Sequence, residues 1–288
     1  MGSVASCPVA SGPGPVGEMP VDRTVDLSGL RLRLLPPRVC SFGELVKLYL
    51  SDNKLASLPP ELGQLHHLQI LALDFNKFKA LPPAVCALKR LGILYLGNNK
   101  LRDLPAELSL LGNLQTLWIE SNRLGRLPAV VCELGLLKTL HAGSNGLRLL
   151  PAQLWRLREL RAIWLSGNQL ADFPPVLLRM PGLEVIDVDR NAIRSFPSLA
   201  HLPGLKLVIY DHNPCRNAPK VAKGVRRVGR WAEETPEPRP GRRRRAERAE
   251  EEEEEEAREL QPAPRLPLPP PPPPPAVSTT TEPDWPEP

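Results

Sequence analysis

Tyr95, Trp118, His141 and Trp164 stand 23 residues apart in this sequence, one after another. Rings of this kind hold other molecules through their apolar area and the negative faces of their π-systems. Catalytic sets are harder to assemble. The sequence has no glycine-rich phosphate loop, no HExxH helix and no CxxC pair, the patterns that phosphate binding, zinc hydrolysis and thiol redox chemistry call for. His66 and His67 fall in a polar connection, where solvation is the ordinary state. His141 stands alone among aromatics, which suits a contact residue better than a catalyst. The sequence therefore reads as a non-enzyme, with no cofactor and no metal.

The interval between the rings belongs to the whole central chain. LVKLYLSDNKLASLPPELGQLHH, from Leu45, is a template whose copies begin at Leu68, Leu91, Leu114, Leu137, Leu160 and Leu183. A shorter closing copy starts at Leu205, and a divergent opening copy runs through VDLSGLRLRLLP with Leu30 in place of the asparagine. Asn53, Asn76, Asn99, Asn122, Asn145, Asn168 and Asn191 keep the interval, and Asn213 follows after 22 residues. In each LxLxxN stretch a short strand alternates its side chains, so Leu48 and Leu50 and their equivalents point inward. One repeat cannot bury that face alone, but neighbours bury it for each other. Each asparagine turns inward where the strand ends and pairs with backbone groups the bend leaves bare; losing one strands those groups at a cost of about 1–3 kcal/mol. The following LPxxLxxL half returns the chain behind the core, its proline fixing the backbone. The fold class is α/β: a leucine-rich-repeat solenoid with a curved parallel sheet on the concave face and irregular or helical turns on the convex face.

The third, fifth and seventh positions of each repeat point outward onto the concave face. Tyr95, Trp118, His141 and Trp164 occupy the fifth position on consecutive strands, about 4.8 Å apart. Ile70 and Ile93 flank them, and Asp74, Glu120, Asp187 and Asp189 add an acidic side. An aromatic strip with a charged rim has the make-up of a protein-binding hot spot. The alternative is that the rings pack on one another and only stiffen the sheet, as cross-strand pairs do for ~0.2–1 kcal/mol. Exposed tryptophan favours contact with a partner. Trp155 falls on the convex side and reads as structural.

Charge and cysteine usage narrow the setting. The formal charge of +5 averages opposed blocks, so no nucleic-acid partner is expected. Cys40, Cys86 and Cys132 recur every 46 residues, two layers apart and beyond the ~7 Å reach of a disulfide; reduced thiols and a cytoplasmic setting are expected. The first residues lack the basic start and apolar run of a secretory signal, so secretion is not expected. Residues 1–21 read as a disordered N-terminal segment and 22–216 as the solenoid. Residues 217–234 read as an amphipathic capping helix on Val221, Val225, Val228 and Ala232, and 235–288 as a disordered Arg/Glu/Pro-rich tail. Within these end segments, Gly2 and Cys7 fit an acylation pattern that alone would bring the chain to a membrane. Arg242–Arg245 fit a nuclear import signal, and Leu268–Pro275 fit a polyproline ligand for a proline-recognition domain, or a spacer. A lipid-anchored signalling adaptor and a nuclear regulatory protein are thus the alternatives to a scaffold.

Several stretches are more specific than the repeat: CSFGELVKLYLSDN, LQILALDFNKFKALP, ILYLGNNKL, LKTLHAGSN and LKLVIYDHNPCRNAPKVAKGVRRVGRWAEETPEP. Through them the chain closely resembles, from about Met19 to Pro238, a heart-enriched branch of the intracellular leucine-rich-repeat proteins. The resemblance implies a non-enzymatic cardiac muscle protein associated with actin and α-actinin, with sarcomeric and nuclear pools. No residue-level binding motif comes with it, so the candidate contact residues rest on the concave face.

Overall fold

The computed structural model describes residues 21–232. Ten three-residue strands form one parallel sheet in chain order: β1 (Thr24–Asp26), β2 (Lys47–Tyr49), β3 (Ile70–Ala72), β4 (Ile93–Tyr95), β5 (Thr116–Trp118), β6 (Thr139–His141), β7 (Ala162–Trp164), β8 (Val185–Asp187), β9 (Leu207–Ile209) and β10 (Arg226–Val228). Register follows the repeat, so Leu48 lies beside Leu71, Leu71 beside Leu94 and Leu94 beside Leu117. Each of these leucines is fully buried, as are Leu50, Leu73, Leu96 and Ile119 two positions on. Truncating any of them to alanine would cost about 2–5 kcal/mol.

Parallel neighbours need a return path, and the 23-residue interval leaves room only for a compact one. It is a single turn of 3-10 helix in most repeats, for example Ala106–Leu110, Ala129–Glu133 and Ala152–Arg156, and a short α-helical turn at Pro83–Cys86. Pro105, Pro128 and Pro151 precede these turns with φ between −61° and −71°, values the proline ring imposes at no further cost. Cys40, Cys86 and Cys132 lie in three such turns, buried and free. Trp155 also sits on this side, partly buried against the core, with the Arg158 and Arg179 guanidiniums 5.0 and 5.5 Å from its ring centre.

The asparagines tie each layer to the one before. Asn99 donates from Nδ2 to the carbonyls of Leu73 at 2.9 Å and Leu96 at 3.2 Å, and its Oδ1 accepts from the N–H of Phe78 at 3.1 Å. Asn76 and Asn122 make the equivalent set, and Asn53, Asn145, Asn168, Asn191 and Asn213 continue it. The residue before each asparagine takes a positive φ so that the amide can turn in. Asp52, Asn98, Ser121 and Ser144 tolerate this conformation, but Phe75 holds it as well, at φ 54° with its ring 58% exposed. A bulky residue pays strain there.

The C-terminal end departs from the expected helix over residues 217–234. The chain instead lays down β10 against β9, and the sheet runs past residue 216 to Val228. Val221 and Val225 do pack on the core, but their helical spacing is outweighed by the open edge of β9, whose backbone groups need partners. Arg226 N–H donates to Lys206 O at 2.8 Å and Tyr210 N–H to Val228 O at 2.9 Å. Gly224 and Gly229 sit at φ 89° and 148°, outside the helical region. A side chain at Gly229 would come within 3.1 Å of the buried Tyr210 ring. The Tyr210 hydroxyl donates to Arg230 O at 2.6 Å, clasping the end. Arg227 Nη2 donates to Ala232 O at 3.1 Å. At the other end Leu30 is 50% exposed, and Asn53 reaches back to Leu27 and Leu32.

Candidate functional site

Register places the four rings side by side: Tyr95 beside Trp118, Trp118 beside His141, and His141 beside Trp164. All four are half-buried. Trp118 and His141 stack with centroids 3.7 Å apart and planes within 10°; His141 and Trp164 stack at 5.3 Å and 6°. The first distance is shorter than the usual strand spacing of about 4.8 Å and the second longer, so the imidazole sits closer to Trp118 than to Trp164. Tyr95 is tilted by 47° against Trp118 at 6.0 Å. The ridge is thus a three-ring stack with a fourth ring leaning on its N-terminal end. Burial between the indoles drives the His141 pKa down to about 4, so the imidazole is neutral at physiological pH.

The rings pack on one another and are only partly buried. Ile70 and Ile93 extend the apolar surface, half-buried on β3 and β4. Ala72 stands in register between Tyr95 and the half-buried Tyr49.

Beside the rings runs the row of seventh positions. Asp74 Oδ1 accepts the Gly97 N–H at 2.7 Å, yet burial still pushes its carboxyl up to about 6. Gly97 owes its identity to crowding. A Cβ there would lie 3.0 Å from Asp74 Oδ1 and 3.1 Å from Trp118 Cδ1, so the absent side chain lets the indole edge approach the carboxylate. Gly143 plays a similar part: its Cβ would meet Ser166 O at 2.9 Å and the Glu120 side chain at 3.4 Å. Asp187, opposite Trp164, is 6% exposed; its Oδ1 accepts the Asp189 N–H at 2.9 Å, and burial raises its pKa. Asp189 faces His212 at 3.0 Å and Arg190 at 3.5 Å. Sequence reasoning found the rings and the carboxylates but passed over Gly97 and Gly143. Their signal was a glycine at an outward strand position, the mark of a close approach.

Other sequence features lie elsewhere. His67 joins a surface group with Arg90 at 3.0 Å and Glu44 at 3.6 Å. Two grooves of about 540 and 430 Å³ flank the exposed Leu149 on the return side, away from the rings. Among the described residues no group of three His, Cys, Asp or Glu side chains is arranged to hold a metal ion, and no helix is long and apolar enough to cross a membrane. Gly2, Cys7, Arg242–Arg245 and Leu268–Pro275 lie outside the described residues, as do most of 1–21 and all of 235–288.

The Leucine rich repeat family model matches residues 43–101 and 66–124. Leucine-rich repeat-containing protein 10 of Bos taurus is 82% identical over 223 residues, 77% of this chain and 80% of that protein. The chain belongs to the leucine-rich repeat-containing protein 10 family. Its Mus musculus member is 73% identical over 63 residues, 22% of this chain and 23% of that protein. Among solved structures, the leucine-rich repeat domain of the type III effector XopL shares the fold at 23% identity, with a TM-score of 0.63 over 73% of this chain and 77% of that one. The plant peptide hormone receptor RGFR1 in complex with RGF2 is 27% identical, with a TM-score of 0.54 over 67% of this chain and 36% of the receptor chain. Membership in this family accords with a module for protein–protein interaction.

Proposed function

We propose that the chain is a non-catalytic scaffold that holds a cytoskeletal protein, actin or α-actinin in cardiac muscle, on the ring ridge of its concave face. The observation that carries this reading is the contiguous row Tyr95, Trp118, His141 and Trp164, presented by four adjacent strands without serving the leucine core. Pre-stacked rings lose little side-chain freedom on docking, which is the usual economy of aromatic hot spots. The RGFR1 complex supports the use of such a solenoid for holding a peptide ligand, and the family resemblance supports actin and α-actinin as the partners. A sarcomeric location with a nuclear pool goes with the same proposal.

Co-sedimentation with filamentous actin and capture on immobilised α-actinin test it, comparing the full chain with Trp118→Ala/Trp164→Ala. Removing two hot-spot rings should weaken capture by at least about 30-fold, the effect of ~2 kcal/mol. A doubly substituted protein that melts like the parent and binds undiminished would refute the site.

A further inference from the structure

The sign of the partner's charge is written beside the rings. Between Ile70 and Asp211 the outward strand positions hold Asp74, Glu120, Asp187, Asp189 and Asp211, and no lysine or arginine. The chain as a whole carries +5, so this bias runs against composition. The cations have gone to the neighbouring flank, where the exposed Lys54, Lys77, Lys100 and Arg123 occupy one repeat position. Their backbone N–H groups bond to Leu32, Leu55, Phe78 and Leu101 of the preceding layers, which sets the four in a row. Asp74, Glu120 and Asp187 have no cationic partner among the described residues, although Asp187 is almost fully buried and Asp74 half so.

The ring geometry adds an independent indication. In the stack Trp118–His141–Trp164 the imidazole takes up one face of each indole. On the other side, Tyr95 is tilted against Trp118 at 6.0 Å, and the Trp118 indole edge and Asp74 Oδ1 approach the same point beside Gly97. Asp187 is the register neighbour of Trp164 in the next strand. The Trp118 indole thus has a carboxylate at its edge, and Trp164 has one at the neighbouring position of the next strand. A guanidinium or ammonium group attracted by an indole face is held more firmly when an anion shares the site. His141, neutral between the indoles, adds no opposing charge.

We infer that the ridge is a receptor for basic side chains: an arginine- or lysine-bearing segment of the partner protein sets its cations against the exposed parts of Trp118 and Trp164, beside Asp74 and Glu120. This rests on the proposed docking role of the ridge and names the chemistry of its partner.

The test uses the full chain and fluorescein-labelled short peptides alternating arginine and serine, read by anisotropy at low and high salt. The control replaces arginine by citrulline, a neutral group of nearly the same shape. The arginine peptide should bind at least about tenfold tighter than the citrulline one. Either Trp118→Ala/Trp164→Ala or Asp74→Asn/Glu120→Gln should remove about that factor, with melting curves confirming that each variant is folded. Equal binding of the two peptides overturns the inference. So does arginine-peptide binding that survives the ring substitutions, since capture by the acidic run Glu250–Glu256 would behave in that way. Capture of actin or α-actinin by the same variants separates this inference from the reading beneath it. Loss with the ring variant but not with the carboxylate variant leaves the docking surface standing and removes the cation preference. Capture unchanged in both removes both.

Discussion

Substituting alanine for Gly97 sets two effects of opposite sign against each other. Gly97 has an ordinary negative φ, so alanine suits its backbone and should stabilise by about 0.4–1 kcal/mol through a less disordered unfolded chain. Against this stands the new methyl, 3.0 Å from Asp74 Oδ1 and 3.1 Å from Trp118 Cδ1. Neither neighbour retreats freely. Asp74 is held by the Gly97 N–H itself at 2.7 Å, and Trp118 lies flat on His141 at 3.7 Å. Forcing a methyl into packing this close costs about 1–3 kcal/mol, so the crowding wins and a net loss of about 1–2 kcal/mol is expected. Urea denaturation gives the free energy, and near-ultraviolet circular dichroism reports whether the indole stack survives. Gly92→Ala is the internal control, because its Cβ would meet nothing nearer than 3.7 Å; it should be neutral or slightly stabilising. A Gly97→Ala protein that gains stability and keeps its near-ultraviolet spectrum would show that Trp118 is not confined as described.

Three further outcomes follow from the same geometry. Asn99→Ala leaves the Phe78 N–H without its side-chain partner, while the Leu73 carbonyl keeps Asn76 Nδ2 at 3.1 Å, and should cost about 1–3 kcal/mol in urea denaturation, the effect of one unsatisfied buried group. Because His141 has its pKa lowered to about 4, the fold favours the neutral ring, and stability present above pH ~6.5 is lost as pH falls toward 4. Asp74, raised to about 6, works in the other direction and gains on acidification. Asp74→Asn should therefore lose stability faster than wild type between pH 6.5 and 4, and His141→Phe more slowly, each by a Tm difference of about 2–4 °C, the shift given by ~1 kcal/mol in a domain of this size; identical slopes in all three would contradict the burial of either group. Tyr210→Phe removes the hydroxyl bond to Arg230 and should raise amide exchange in β10 while leaving β4–β7 protected, at a cost of about 1 kcal/mol.

Much of this was legible in the sequence because the repeat does most of the positioning. Once Leu48 and Leu50 point inward, Tyr95, Trp118, His141 and Trp164 must share a column on the other face. The asparagine ladder follows from the same count. What the repeat cannot state is how neighbouring rings resolve their contact. Trp118 leans over Gly97 and His141 is clamped flat because of side-chain volumes in adjacent layers, a relation between residues 21 to 23 positions apart. Asp187 occupies the same repeat position as the rings, yet it is buried, and its carboxylate accepts the Asp189 N–H. At the C-terminus Val221, Val225 and Val228 have helical spacing, but the spacing of apolar residues carries no information about an unpaired strand edge. The backbone demand of β9 outweighed it.

The central claim is that the concave ring row is the surface a protein partner covers. Hydroxyl-radical footprinting of the full chain, with and without filamentous actin or α-actinin, reads that surface residue by residue. Reduced oxidation of Tyr95, Trp118 and Trp164 on complex formation, with Leu149 on the return flank unchanged, is the predicted result. Rings oxidised to the same extent in both states, with protection appearing instead around Leu149, would contradict it.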